Sequence, residues 1–167
     1  MVELARSDRE HAPPAVASNR ALWCGLDGGA RERAANCGLL LLDINFTDPA
    51  WWRAAAADRP VERTGNLEGY LQPAVAAELM RETITLAWIV AREDRGQATI
   101  FCGLAPPVAT QFASFSPSDL DRLSARYHRH LRLRFDDQPS YWRMHLTIDG
   151  SKWVSRGAGS EVTAESY

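Results

Sequence analysis

The segment from Ala74 to Arg95 constrains the fold of this chain more than any other. Its apolar residues recur at the spacing of one helix face: Leu79, Ile84, Ala87, Trp88 and Ala91. A further apolar set lies on the other side of the same helix: Leu86, Ile89 and Val90. A helix that is apolar nearly all round has to be covered on more than one face.

Two covers for this helix are open at the sequence level. The N-terminal segment of the same chain could pack on it, or a second subunit could do so. In the second case the helix forms much of a subunit interface. The candidate interface residues are then Leu79, Ile84, Leu86, Trp88 and Ile89.

Start and stop signals predict several shorter helices around the long one. Asp48 before Pro49 is an N-cap followed by a proline at the first helical position. Ser116-Pro117 with Asp119 has the pattern of a capping box. Gly103 should end a short helix over Gln97–Cys102, and Ala105-Pro106 should begin the next one. The run Leu39–Phe46 could be a buried strand or a buried helical turn.

The C-terminal part has a different periodicity. Apolar residues alternate with polar ones over one stretch: Trp142, Met144, Leu146 and Ile148. This alternation predicts a strand, Asp149-Gly150 a turn, and Lys152–Ser155 a returning strand. The expected fold is therefore mainly α, a compact helical core with a small C-terminal β hairpin. The expected segments are a disordered tail (1–20), a helical extension (21–73), the helical core (74–137) and the hairpin with its tail (138–167).

Composition narrows the class of protein without revealing its function. The 167 residues carry a net charge of −2, which argues against a uniformly basic nucleic-acid coat. Three widely spaced cysteines do not suggest a secreted disulfide scaffold. The start of the sequence lacks a secretory h-region, and no segment reads as a membrane span. We therefore expect a cytoplasmic protein that does not interact with membranes.

Motifs for catalysis or cofactor binding are missing from the sequence. It holds no glycine-rich phosphate loop, no nucleophile elbow and no zinc-protease motif. His128, His130 and His145 with Cys102 could in principle converge on a metal, but their spacing is poor, and the cysteines carry no reactive signature. We therefore expect no enzyme, no cofactor and no metal site.

Positive charge is concentrated in one region. Between Asp119 and Arg134, five arginines face two aspartates: Arg122, Arg126, Arg129, Arg132 and Arg134. Such a patch could hold DNA phosphates or an acidic partner. Alternatively, these arginines pair with nearby aspartates on a solvated face. Gln97–Phe115 has the rhythm of a helix-turn-helix, but residues 96–115 lack Lys and Arg, so a packing role is favoured there.

One region resembles a known family. The stretches 86–104, 108–123 and Leu131–Asp136 look like the flagellar transcriptional regulator FlhD, over about residues 78–137. The resemblance implies a helical homodimer that joins a second subunit, FlhC, and activates transcription of motility genes on promoter DNA. The alternative is a protein–protein adaptor that keeps this fold without touching DNA, docking through Trp142, Trp153 and Arg143.

Overall fold

A computed structural model describes residues 12–62, 64–65, 67 and 71–147 of the chain. The chain divides into two units, Met1–Gly38 with Gln138–Tyr167, and Leu39–Asp137. The structure is mainly α-helical, as the sequence predicts. Within the described residues the only strands are two short ones, β1 (Leu42–Asp43) and β2 (Arg132–Leu133).

The smaller unit is a group of short helices. They are α1 (Pro14–Ala17), α2 (Arg20–Gly25), α3 (Gly28–Ala35) and α9 (Pro139–Thr147). Trp23 and Trp142 form the centre of this unit, with ring centroids 5.4 Å apart. The buried Asn19 amide joins the helices by donating to the carbonyls of Ala15 and Pro139, each at 2.9 Å.

The larger unit is built around the long helix. Its helices are α4 (Pro49–Ala56), α5 (Pro73–Glu93), α6 (Arg95–Gln97), a π-helix (Ala98–Cys102), α7 (Pro106–Ser114), α8 (Pro117–Tyr127) and a 3-10 helix (His128–His130). α7 and α8 pack against α5 and cover its inner face. The residues buried on that face are Ala76, Met80, Thr83, Ile84, Ala87 and Ala91.

Trp52 of α4 occupies the core of the larger unit. Its ring is fully buried, stacks on Phe46 and meets the edge of Phe112 at 4.6 Å between centroids. Its indole N–H donates to the carbonyls of Ile44 and Asn45, each at 3.1 Å. Because those carbonyls belong to the turn after β1, this one side chain fixes α4 against that turn.

The predicted helix starts are confirmed. The Asp48 carboxylate accepts from the amides of Ala50 and Trp51, and Ser116 with Asp119 forms the capping box of α8. Gly103 ends the π-helix with φ +77, a conformation that favours glycine. Within the run Leu39–Phe46, for which a strand and a helical turn were both open, only Leu42–Asp43 form a strand, with Leu42 paired to Leu133 and Asp43 to Arg132.

Two expectations differ from the structure. The strand predicted over Trp142–Ile148 is wrong for residues 142–147, which belong to α9. The returning strand at Lys152–Ser155 lies outside the described residues. Where a disordered tail was expected, Pro14–Ala17 are helical, with Ala15 and Val16 buried. The first segment of the smaller unit ends at Gly38, and the larger unit ends at Asp137.

Candidate functional site

The outward face of α5 carries an aliphatic stripe. Val75, Leu86 and Ile89 keep 43%, 47% and 43% of their surface exposed, and Leu79 is half-buried between them. At 100° per residue these four positions fall within about 40° of one line, and they extend over about 21 Å. Aliphatic side chains aligned in this way are typical of a surface that another helix covers. We call these four residues the α5 stripe.

The structure separates the predicted interface residues into two groups. Leu79, Leu86 and Ile89 belong to the stripe, whereas Ile84 is fully buried inside the unit. Trp88 is half-buried, and its indole N–H donates to the Phe115 carbonyl at 2.9 Å. Ile84 is therefore not available to a partner, and the Trp88 indole N–H is already bonded within the unit.

Val75 is a member of the stripe that is not among the predicted interface residues. It lies one turn before Leu79, near the start of α5. The 3.5-residue recurrence of Val75, Leu79, Leu86 and Ile89 is the signal that could have found it.

Acidic groups accompany the stripe. The exposed Glu82 lies in its middle, and Glu78 and Glu93 are exposed on the same side of the helix. The nearby arginines contact groups outside the stripe. The Arg81 guanidinium binds Asp121 at 2.7 Å, and that of Arg92 lies over the Trp88 ring at 4.9 Å from its centroid. The stripe is therefore apolar with negative charge at its centre.

On α8, the first two arginines of the predicted DNA-binding patch share the carboxylate of Asp58. Arg122 binds Asp58 at 2.7 Å and Asp119 at 3.3 Å, and Arg126 binds Asp58 at 3.3 Å. Arg126 also donates to the Asp58 carbonyl. Both arginines thus fasten the end of α4 to α8. The Asp119 pKa lies below its usual value, chiefly because its carboxylate is hydrogen-bonded by Ser116, with Arg122 contributing further.

The other patch arginines lie around the strand pair. Arg132 donates to the buried Asp43 carboxylate across the β1–β2 pair. Arg134 donates to the carbonyl of Phe101 at 2.9 Å and to that of Leu40 at 3.4 Å. Arg129 is exposed in the 3-10 helix. Arg122, Arg126, Arg132 and Arg134 thus serve as links between elements of the larger unit.

The helix-turn-helix segment has a packing role. Val108, Ala109 and Phe112 of α7 are fully buried. The Gln111 amide donates to the Trp52 carbonyl at 3.0 Å. Thr110 donates back to the Pro106 carbonyl of its own helix. The exposed side of α7 therefore offers few uncommitted polar groups.

The remaining candidates are also placed by the structure. Trp142 is buried against Trp23, so it cannot form an exposed docking surface with Arg143, and Trp153 lies outside the described residues. Asp94 caps α6 by accepting from the amides of Gly96 and Gln97. Among the described residues, no group of three His, Cys, Asp or Glu side chains lies close enough together to hold a metal ion.

Comparisons with known proteins add no relative. The chain matches no protein-family model, no curated protein and no solved structure. Among the described helices, none combines the length and apolar character needed to cross a bilayer.

Proposed function

We propose that this protein is an adaptor subunit that binds another protein through the α5 stripe. The observation that carries the proposal is the exposure of Val75, Leu86 and Ile89 along one line of a helix whose other face is packed. Fully burying such a side chain is worth about 1.5–3 kcal/mol, and slightly under half of each remains to be buried. A partner covering all three would therefore gain about 2–4 kcal/mol from them.

The partner that we propose is an amphipathic helix with basic residues beside its apolar seam. Glu82 at the centre of the stripe favours a positively charged group opposite it, with Glu78 and Glu93 extending that preference. Two copies of this chain that paired through the middle of the stripe would bring their Glu82 carboxylates together, because a twofold interface apposes identical patches. Like charges in that position weaken the pairing. The homodimer implied by the FlhD resemblance stays a prediction.

An FlhC-like second regulator subunit is one partner that such a surface could take. The transcriptional hypothesis, in which the complex contacts promoter DNA, stays a proposal of lower rank. It would require the patch arginines to leave their present partners. Arg122 and Arg126 share Asp58, and Arg132 is held by Asp43. Phosphate contact would cost those ion pairs, so we favour an adaptor without DNA contact by these side chains.

Two labelled model peptides test the surface. Both carry a leucine seam, one flanked by lysines and the other by glutamates, and fluorescence anisotropy measures their binding to the full chain. We expect only the lysine peptide to bind. Leu86→Asp should weaken it by at least about 10-fold, since a buried unpaired charge costs well over 1.4 kcal/mol. Glu82→Lys should reverse the preference between the peptides.

Ile100→Asp is the matched control, because Ile100 is an exposed aliphatic residue outside α5 and receives the same charge. It should leave peptide binding unchanged. Equal binding of both peptides, or equal loss from Leu86→Asp and Ile100→Asp, contradicts the proposal. Sedimentation of the wild type tests the homodimer, and sedimentation of Glu82→Leu tests whether the Glu82 carboxylates oppose it. A stable wild-type dimer that Leu86→Asp dissociates would replace our partner with a second copy.

Duplex DNA at low salt tests the transcriptional alternative. The adaptor proposal predicts no binding by the chain alone. If binding is seen, removing Arg122, Arg126 or Arg129 should lower the salt dependence by about one unit each when these residues contact phosphates. An unchanged slope would exclude the patch as the contact surface.

A further inference from the structure

The α5 stripe is part of a longer row of six positions at heptad spacing. Successive members are separated alternately by four and three residues, the repeat that keeps one line of a helix against a partner helix. The six members are Val75, Leu79, Glu82, Leu86, Ile89 and Glu93. At 100° per residue they lie within about 40° of a common line and extend over about 27 Å. We call these six residues the α5 seam.

Two of the six seam positions hold carboxylates. Glu82 and Glu93 are both exposed, and among the described residues neither side chain takes part in an ion pair. The two arginines of α5 contact Asp121 and the Trp88 ring instead. The negative charge of both glutamates is therefore not neutralised by a neighbour on the same helix.

Glu93 lies where a carboxylate does not help its own helix. It is the last residue of α5, and the carbonyl end of a helix carries negative partial charge, so an acid is unfavourable there and a cation is favourable. The next residue, Asp94, adds a second carboxylate, which accepts from the amides of Gly96 and Gln97 at the start of α6. Helix stability therefore does not explain Glu93, and this end of the seam favours a cation opposite it.

The seam determines what a covering helix must place opposite each position. A partner helix sets one of its own core positions against every seam residue. An aliphatic residue opposite Glu82 or Glu93 would bury a carboxylate without a partner, which is costly, whereas a lysine or arginine there pairs with it. From Glu82 to Glu93 the seam advances by steps of four, three and four residues, 11 positions in all. The same count holds for a parallel and an antiparallel partner, because the core positions of the partner alternate in the same way.

We propose that the partner helix carries two basic residues 11 positions apart within its own apolar seam, and that Glu82 and Glu93 fix its register on α5. Aliphatic residues stand at the fourth and seventh positions after the first of these basic residues. Polar residues at core positions of paired helices specify register in this way. A slide of the partner by one heptad would set a cation opposite Ile89 or Leu86 and leave both glutamates without a partner. This inference rests on the proposed function, since it describes the helix that the α5 surface binds.

Two peptides of identical composition test the spacing. The first has two lysines 11 positions apart in a leucine seam that continues beyond both of them, so that it fits α5 in either direction. In the second, one lysine has exchanged places with an outward-facing glutamine two positions away. Fluorescence anisotropy gives the affinity of each peptide for the full chain. We expect the first to bind at least about 10-fold more tightly, because the second leaves one glutamate buried without a cation.

Two variants of the protein locate the cause of this preference. Glu93→Gln should remove the difference between the peptides, because a single seam lysine then satisfies the one glutamate that remains. Glu78→Gln is the matched control, since Glu78 is exposed on the same helix beside the seam and loses the same charge. It should leave the difference unchanged. Both positions are exposed, so neither change removes a core contact.

The outcomes separate this inference from the proposed function. Equal binding of the two peptides, still lost in Leu86→Asp, would overturn the register and leave the α5 surface in place. A preference that survives Glu93→Gln, or that Glu78→Gln removes equally, would also overturn the register, because it would reflect general attraction between lysines and acids. Absence of binding by both peptides would overturn the α5 surface itself, and this inference with it.

Discussion

The Asp43–Arg132 pair allows a quantitative test of whether the patch arginines are structural. The Asp43 side chain is 11% exposed and that of Arg132 is 36% exposed. One oxygen of Asp43 accepts from the Phe46 amide at 3.0 Å and the other accepts from Arg132 at 2.6 Å. Asp43→Asn keeps an acceptor for Phe46 but removes the charge, whereas Asp43→Ala removes both bonds.

The expected losses follow from these contacts. A hydrogen bond to a charged group contributes about 1.5–3 kcal/mol, and an orphaned buried donor costs about 1–3 kcal/mol. Water reaches the half-exposed Arg132 and replaces part of its bond, so the lower ends of these ranges apply. We expect Asp43→Ala to cost about 2–4 kcal/mol and Asp43→Asn about 1–2 kcal/mol in the free energy of unfolding.

A double-mutant cycle isolates the pair. Urea unfolding of Asp43→Asn, Arg132→Gln and the double variant should give a coupling of about 1–2 kcal/mol. The control cycle uses Arg81 and Asp121, which form an equally short contact on the surface, at 2.7 Å with side chains 64% and 59% exposed. Its coupling should be within experimental error of zero. Equal couplings in the two cycles would refute the argument that burial makes Arg132 a structural residue.

Three further changes test the packing of the larger unit. Gly65→Ala should lower the melting temperature by several degrees, because its Cβ would lie 1.8 Å from the Arg129 carbonyl oxygen, and a circular dichroism melt checks this. Trp52→Phe should cost about 1–3 kcal/mol in urea unfolding, since two buried carbonyls lose the indole N–H. Ser116→Ala should cost about 1 kcal/mol at neutral pH. Because the Asp119 pKa is lowered in the folded state, the carboxylate contribution is complete above the ordinary value near 3.8 and is lost as the pH falls through the lowered one. The difference between wild type and Ser116→Ala should therefore narrow in acid titrations, while the bond from the Asp119 amide to the Ser116 hydroxyl keeps it above zero.

Local signals in the sequence predicted much of the helical framework. Caps such as Asp48 and Ser116 depend on neighbours within three residues, so the sequence carries the whole interaction. The strand prediction failed because it used the apolar periodicity and left out a local helix start signal. The alternation of Trp142, Met144 and Leu146 has the period of a strand, whereas Pro139 at the first helical position was the start signal that should have decided. The buried face of α9 is formed by Trp142 and His145, three residues apart, and leaves Met144 exposed.

Contacts between residues far apart in the chain could not be predicted from the sequence. The contact between His145 Nε2 and the Ala34 carbonyl joins residues 111 positions apart, and no motif surrounds either of them. The charge count over residues 119–134 found five arginines but did not include Asp43 and Asp58, because these carboxylates come from distant elements. A local excess of positive charge therefore left both a phosphate-binding patch and paired arginines open, and in the fold Arg122, Arg126 and Arg132 form ion pairs with carboxylates.

The cost of breaking these ion pairs explains why the α5 stripe is the better candidate surface. A charged patch whose members already have partners must break those ion pairs before it binds anything, so its net gain is small. The α5 stripe has no ion pairs to break. Leu86 and Ile89 are exposed to water, and burying them is favourable without any rearrangement. Glu82 then selects among the partners that could cover them, because only a basic one offsets the cost of burying its carboxylate. Affinity from the aliphatic residues and specificity from one carboxylate are therefore separable, and Leu86→Asp and Glu82→Lys address them individually.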